Sequence, residues 1–227
     1  MARAIQSETV TGITGHRFFL LFLFLLATLL VYPYAEANRF GYVAFRLLGS
    51  AAILLAVYAA KLHRTALVLV LLLAIPAVYQ RVRFPQPSAN TFAIINMVLS
   101  FIFDVFVVVL IFRHVFSQER ANSETIFGAL CIYLLVGFSF ASIYGMVAAL
   151  QPHAFYLDPH LNPHTVPDRF DFIYYSFGTM TSLGAAGVVP VSAQARSVSI
   201  LQAIIGVLYL AVLIARLMVA YRSDANR

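Results

Sequence analysis

Residues 170–190 read FDFIYYSFGTMTSLGAAGVVP, an apolar-aromatic stretch that runs into a Thr/Ser/Gly/Ala-rich turn and stops at Pro190. The stretch lies between the last two long apolar runs of the chain. It is too short and too interrupted to cross a bilayer as one helix, which needs about 20 continuous apolar residues. A segment that enters the membrane and leaves on the side it came from survives only where protein or water shields its irregular backbone. Reading 170–190 as such a re-entrant helix and loop fixes the fold as an all-α membrane protein whose last two spans are joined through a dip into the bilayer.

Composition supports the membrane assignment. Of 227 residues 62% are hydrophobic and 11% charged, with a mean hydropathy of +0.88, against roughly 45–50% apolar and 25% charged in soluble domains. The net charge of +6 comes from 15 Lys and Arg that stand mostly at the ends of apolar runs. So placed, they orient the chain in a bilayer and do not form a nucleic-acid surface. Cys131 is the only cysteine and lies in an apolar run. That excludes an intrachain disulfide or a thiolate metal cluster and leaves it a packing role.

Six apolar runs read as spans: residues 18–34, 41–60, 65–79, 91–112, 125–150 and 195–221. Ala35-Glu36-Ala37 after the first mimics a signal-peptide cleavage site, but the run exceeds the roughly 7–15 residues of an h-region and is read as a retained helix. Residues 113–124, RHVFSQERANSE, form a connector at the membrane surface. Asn122 or Ser123 can cap the helix that follows, with Glu124 in its first turn favouring the dipole. Within the fifth run Gly128, Gly137, Ser139, Ala141, Ser142 and Gly145 permit close helix approach. With the termini inside, the inner segments hold Arg3, Arg17, Lys61, Arg64, Arg113, Arg120, Arg216, Arg222 and Arg227, against Arg39, Arg81, Arg83, Arg169 and Arg196 outside. That bias places both termini of a multi-pass cell-membrane protein in the cytoplasm. Residues 1–122 form a four-helix membrane domain with its connector, and 123–227 a second domain built around the re-entrant segment.

The order within 123–227 is a long helix, a polar outer loop, an amphipathic aromatic helix at 168–180, a Thr/Gly turn, Pro190 and a long helix with a central Gly206. This resembles the pore module of the potassium-channel superfamily. The sequence TMTSLGAAGVVPVS of residues 179–192 is similar to a filter of the TLTTVGYGDIVPVS type without insertion or deletion, and YLAVLIARL of residues 209–217 is similar to the inner helix of small bacterial members with four preceding spans. The resemblance implies a homotetramer in the lipid bilayer, because one loop per chain supplies a quarter of a filter.

In that family four TVGYG loops replace the ion's hydration shell with backbone carbonyls. The five positions match Ser182, Leu183, Gly184, Ala185 and Ala186 here, flanked by Thr181 and Gly187. Ser182 keeps a hydroxyl, Leu183 an apolar side chain behind the carbonyls, and Gly184 the first glycine. Three positions depart. The filter tyrosine is Ala185, which removes an aromatic brace against the preceding helix. The second glycine is Ala186, whose Cβ costs about 1–2 kcal/mol in left-handed geometry. The acid that follows is Gly187, which removes a charge and an anchor; Gly187 can take the permissive role one residue later. The expected function is passive conduction of monovalent cations, K+ or Na+, with weak K+ selectivity, and Gly206 is a possible bend in the inner helix. The alternatives are a non-conducting channel-like subunit or scaffold, and a transporter or enzyme on a similar architecture.

Elsewhere, Arg46 and Asp104 are charges within spans, costly in lipid and therefore functional candidates, with a structural pair as the plainer reading. The fourth run, TFAIINMVLSFIFDVFVVVLIF, lacks the arginine register of a voltage sensor. His153, Asp158, His160 and His164 in the outer loop are weak candidates for a metal or pH site, since Pro159 and Pro163 break any helical spacing. A transporter would usually show paired broken helices in two halves, and only one broken segment occurs here. No H-E-x-x-H, G-x-S-x-G, P-loop or dinucleotide pattern is present, so neither an enzyme nor a cofactor is expected.

Overall fold

The computed structural model describes residues 17–37, 48, 91–117 and 123–225. The second and third apolar runs, with Arg46, lie outside the described residues. The described residues form five helices and two short strands, in order α1 Arg17–Ala37, α2 Thr91–Phe116, α3 Ser123–Leu150, β1 Phe155–Leu157, α4 Arg169–Met180, β2 Val188–Pro190 and α5 Ala193–Ala225. Among the described residues, α3 and the Ala193–Arg216 part of α5 are long and apolar enough to cross a membrane. α2 runs on through Arg113 and His114, part of the expected connector, because cations in a last helical turn favour the dipole.

The chain divides into two compact units, Met1–Val70 with Val107–Ile132, and Leu71–Phe106 with Tyr133–Arg227. In the first, the start of α1 is docked by specific contacts. Glu124 Oε2 accepts the Phe18 N–H at 3.2 Å, satisfying one of the orphan donors of a helix N-terminus. The buried Phe18 ring lies 5.6 Å from that of His114. A Cβ on Gly128 would come within 2.6 Å of Val115 Cγ2, so glycine is what lets α3 approach there. Cys131 is buried, its thiol donating to the Phe18 carbonyl at 3.4 Å.

In the second unit α4 packs along α5. The strands qualify the all-α expectation: β1 and β2 pair antiparallel, Phe155 with Pro190, Tyr156 with Val189 and Leu157 with Val188. Alternating burial in β1 turns Phe155 and Leu157 into the core and Tyr156 outward. The outer loop, read from sequence only as polar, thus contains an ordered pairing.

Candidate functional site

The site is assembled around α4, a helix of 12 residues. Its start is set by a capping box. Asp168 Oδ1 accepts the N–H groups of Phe170 at 2.7 Å and Asp171 at 3.0 Å, while Asp171 Oδ2 accepts the Asp168 N–H at 2.7 Å. So short a helix is marginal on its own. Asp168→Ala is therefore expected to destabilise the protein by about 1–2 kcal/mol, read as a lowered thermal midpoint of the purified protein, with Asp168→Asn close to wild type.

The flanks of α4 are fixed by fit and by buried polar bonds. The aromatic residues of α4 pack on two sides. Phe172 and Tyr175 are buried in a cluster with Tyr144 and Phe155, with ring centroids 4.9 to 5.6 Å apart and edge-on, a favoured geometry. Phe177 lies over Gly137, where a Cβ would be 2.6 Å from its ring. Gln202 of α5, which the sequence reading overlooked, is fully buried. Its Nε2 donates to Ser176 Oγ at 2.7 Å and Ser176 O at 3.1 Å, and its Oε1 accepts from Tyr144 Oη at 2.5 Å. Ser176 Oγ in turn donates to the Gly137 carbonyl at 2.6 Å. One amide therefore joins α3, α4 and α5. Nearby, Tyr175 Oη and Ser199 Oγ lie 2.6 Å apart.

The C-terminus of α4 sits deep against α5. A Cβ on Gly206 would fall 2.7 Å from the Met180 carbonyl oxygen and 2.6 Å from its Cγ, and Tyr133 Oη donates to the same carbonyl at 3.3 Å. Gly206 stands about 20 Å along α5 from its first residue, at 1.5 Å per residue. The contact alone requires glycine at 206, where α5 continues without a break; bending at that point is a separate property.

From there the chain turns back as a loop whose first residues, Thr181 to Gly184, are exposed. Thr181 closes the helix, its N–H and hydroxyl both donating to the Phe177 carbonyl. The left-handed positions are Ser182 at φ 59°, Gly184 at 81° and Gly187 at 89°. Ala186 is not among them, so the Cβ cost expected there falls on Ser182 instead, and Gly187 carries the permissive geometry. Leu183 is 78% exposed in the single chain. The Gly184 N–H donates to the Gly178 carbonyl at 3.1 Å, and a Cβ on Gly178 would be 2.8 Å from Gly184 O and 3.3 Å from Ala185 Cβ. Small residues at 178 and 185 thus let the loop fold onto α4. The Ala185 carbonyl accepts from the Val188 N–H at 3.2 Å, and the Gly187 carbonyl accepts from the Asp158 N–H at 2.9 Å and Asn162 Nδ2 at 3.0 Å.

The histidines are dispersed. His153 and His160 are exposed, and the His160 N–H is held by Asp158 Oδ1. His164 Nε2 meets Asp171 Oδ2 at 2.8 Å. Among the described residues, the group with metal-ligand proximity is His164 with Asp168 and Asp171, which shares only His164 with the four weak candidates, and both carboxylates there serve the capping box. Asp104 is buried, 7% exposed.

A family model described as an ion channel matches residues 104–223, more than half of the chain. No curated protein and no solved structure matches it.

Proposed function

The chain belongs to the ion channel family, and from that premise we propose that it assembles as a homotetramer in the membrane and passes monovalent cations through residues 181–187 with weak K+ selectivity. The observation carrying the pore is the position of the loop: Met180 rests on Gly206, about 20 Å along a helix that crosses a bilayer core about 30 Å thick, and residues 181–184 are exposed there. Irregular polar backbone at that depth must be covered by protein or face water. A fourfold arrangement around a water-filled axis meets both needs. It also covers α5, of whose most apolar window only 22% is buried within the chain, against 56% for α3.

The direction of the carbonyls supports weak selectivity. A K+ cage needs successive carbonyls free to replace water. Here Gly184 O lies against Gly178, Ala185 O accepts from Val188, and Gly187 O already has two donors. The carbonyls of Thr181, Ser182 and Leu183 are then the longest unbroken succession within 181–187, with that of Ala186 apart from it, a shorter run than the five residues of a TVGYG cage.

Purified protein in liposomes is expected to pass both K+ and Na+. Discrimination as sharp as that of TVGYG filters would refute the selectivity assignment. Intact tetramers passing neither ion would refute conduction and favour the non-conducting subunit.

A further inference from the structure

The chain leaving the loop is tied to the segment before α4 along its whole length. The Ala154 carbonyl accepts from the Val191 N–H at 2.8 Å and the Ser192 N–H at 3.2 Å. The β1–β2 pairs follow in register, and the Asp158 N–H to Gly187 O bond extends the pairing one residue beyond Leu157 and Val188. At that point the outer loop turns back over the strand end. The N–H groups of Leu161 and Asn162 donate to the Asp158 carbonyl, and Asp158 Oδ1 holds the His160 N–H. The turn brings Asn162 Nδ2 to 3.0 Å from both the Asp158 and the Gly187 carbonyls.

Gly187 is closely enclosed. Its φ is 89°, and a Cβ would stand 2.7 Å from Asn162 Nδ2 and 3.2 Å from Leu161 Cβ. A glycine peptide has little intrinsic barrier to rotation, so the direction of the Gly187 carbonyl is decided by its two donors. We propose that Asn162 is a positioning residue that clamps the Gly187 carbonyl onto the outer loop and thereby fixes where the ion-path segment ends. The inner end is set on α4 by the Gly184–Gly178 bond; the outer end is set by Asn162, at the position where the resembled filter has an anchoring acid. With the clamp released, the Gly187 peptide can turn its carbonyl toward the path and change which ions are favoured.

The consequence for ions rests on the reading of 181–187 as the ion path, so the test separates the two. Asn162→Leu removes the amide donor at similar volume. Asn162→Asp keeps the shape but cannot donate when ionised. Leu161→Ala retains the Cβ beside Gly187 and serves as control. In reconstituted protein, amide exchange at Asp158 is expected to accelerate roughly five- to tenfold in both Asn162 variants, the scale of one hydrogen bond, and not in the control. The K+/Na+ flux ratio is expected to shift in the same two variants at unchanged tetramer yield. Unchanged exchange in both would overturn the clamp. Faster exchange with a wild-type flux ratio would overturn its positioning role. If wild-type vesicles pass neither ion, the pore reading fails, and exchange at Asp158 alone decides the clamp.

Discussion

Gly206→Ala is expected to destabilise the assembled protein by about 1–3 kcal/mol per chain, the usual cost of overpacking, and to abolish ion flux. The added Cβ meets Met180 at Cγ, at the carbonyl oxygen and, at 3.3 Å, at Cα. The side-chain atom can swing away. The backbone atoms can retreat only by moving the last turn of α4, and on that turn the Thr181 N–H and hydroxyl, both bonded to the Phe177 carbonyl, begin the loop. Tyr133, bonded to the same Met180 carbonyl, would lose its acceptor in the shift. Gly145→Ala is the matched control, because among the described residues its Cβ would find only Phe172 Cδ2 at 3.8 Å, ordinary contact, and helix propensity favours alanine by up to about 1 kcal/mol. Thermal midpoints in detergent and flux in liposomes measure both. Equal stability and flux for Gly206→Ala and wild type would remove the contact as the support of the loop.

The difference between those glycines marks what the sequence could reveal. Long apolar runs carry their own signal, so α1, α2, α3 and α5 were legible to within a few residues at their ends. The short α4 was legible for another reason: Asp168 precedes an aromatic stretch in which Phe172 and Tyr175, three residues apart, share one helix face. The succession of Thr181, Gly184, Gly187 and Pro190 placed the turn. Pairings distant in sequence were hidden. β1 and β2 are three residues each, below the length at which alternation is recognisable, and what joins them is register across α4. Gln202 looked like one polar residue in a long apolar helix, where a lipid-facing accident and a fully buried connector read alike. Asn162 looked like loop polarity. His153, Asp158, His160 and His164 were weak candidates for a metal or pH site, and three of them hold the loop together: Asp158 on the His160 N–H, His164 on the capping carboxylate of Asp171.

Gln202→Leu is expected to cost about 2–3 kcal/mol per chain, because it strands the buried Tyr144 hydroxyl and withdraws a donor from Ser176, and a buried polar group left unpaired loses about 1–3 kcal/mol. The decisive comparison is the double variant. With Tyr144→Phe added, the orphaned hydroxyl is gone, and Ser176 Oγ still donates to Gly137; replacing both partners by apolar groups is close to neutral. Most of the lost stability is therefore expected to return in Gln202→Leu/Tyr144→Phe, measured as the coupling in a double-mutant cycle of thermal midpoints. Ion flux is expected to follow a different course. Packing can restore stability, but the amide is what ties α4 to α3 and α5 at one point, through Ser176, one turn before Met180. The double variant should be stable yet carry an altered K+/Na+ ratio. Additive stabilities would mean that the amide and the hydroxyl do not depend on each other. A stable double variant with wild-type ratio would mean that Gln202 holds the fold without setting the geometry of the path.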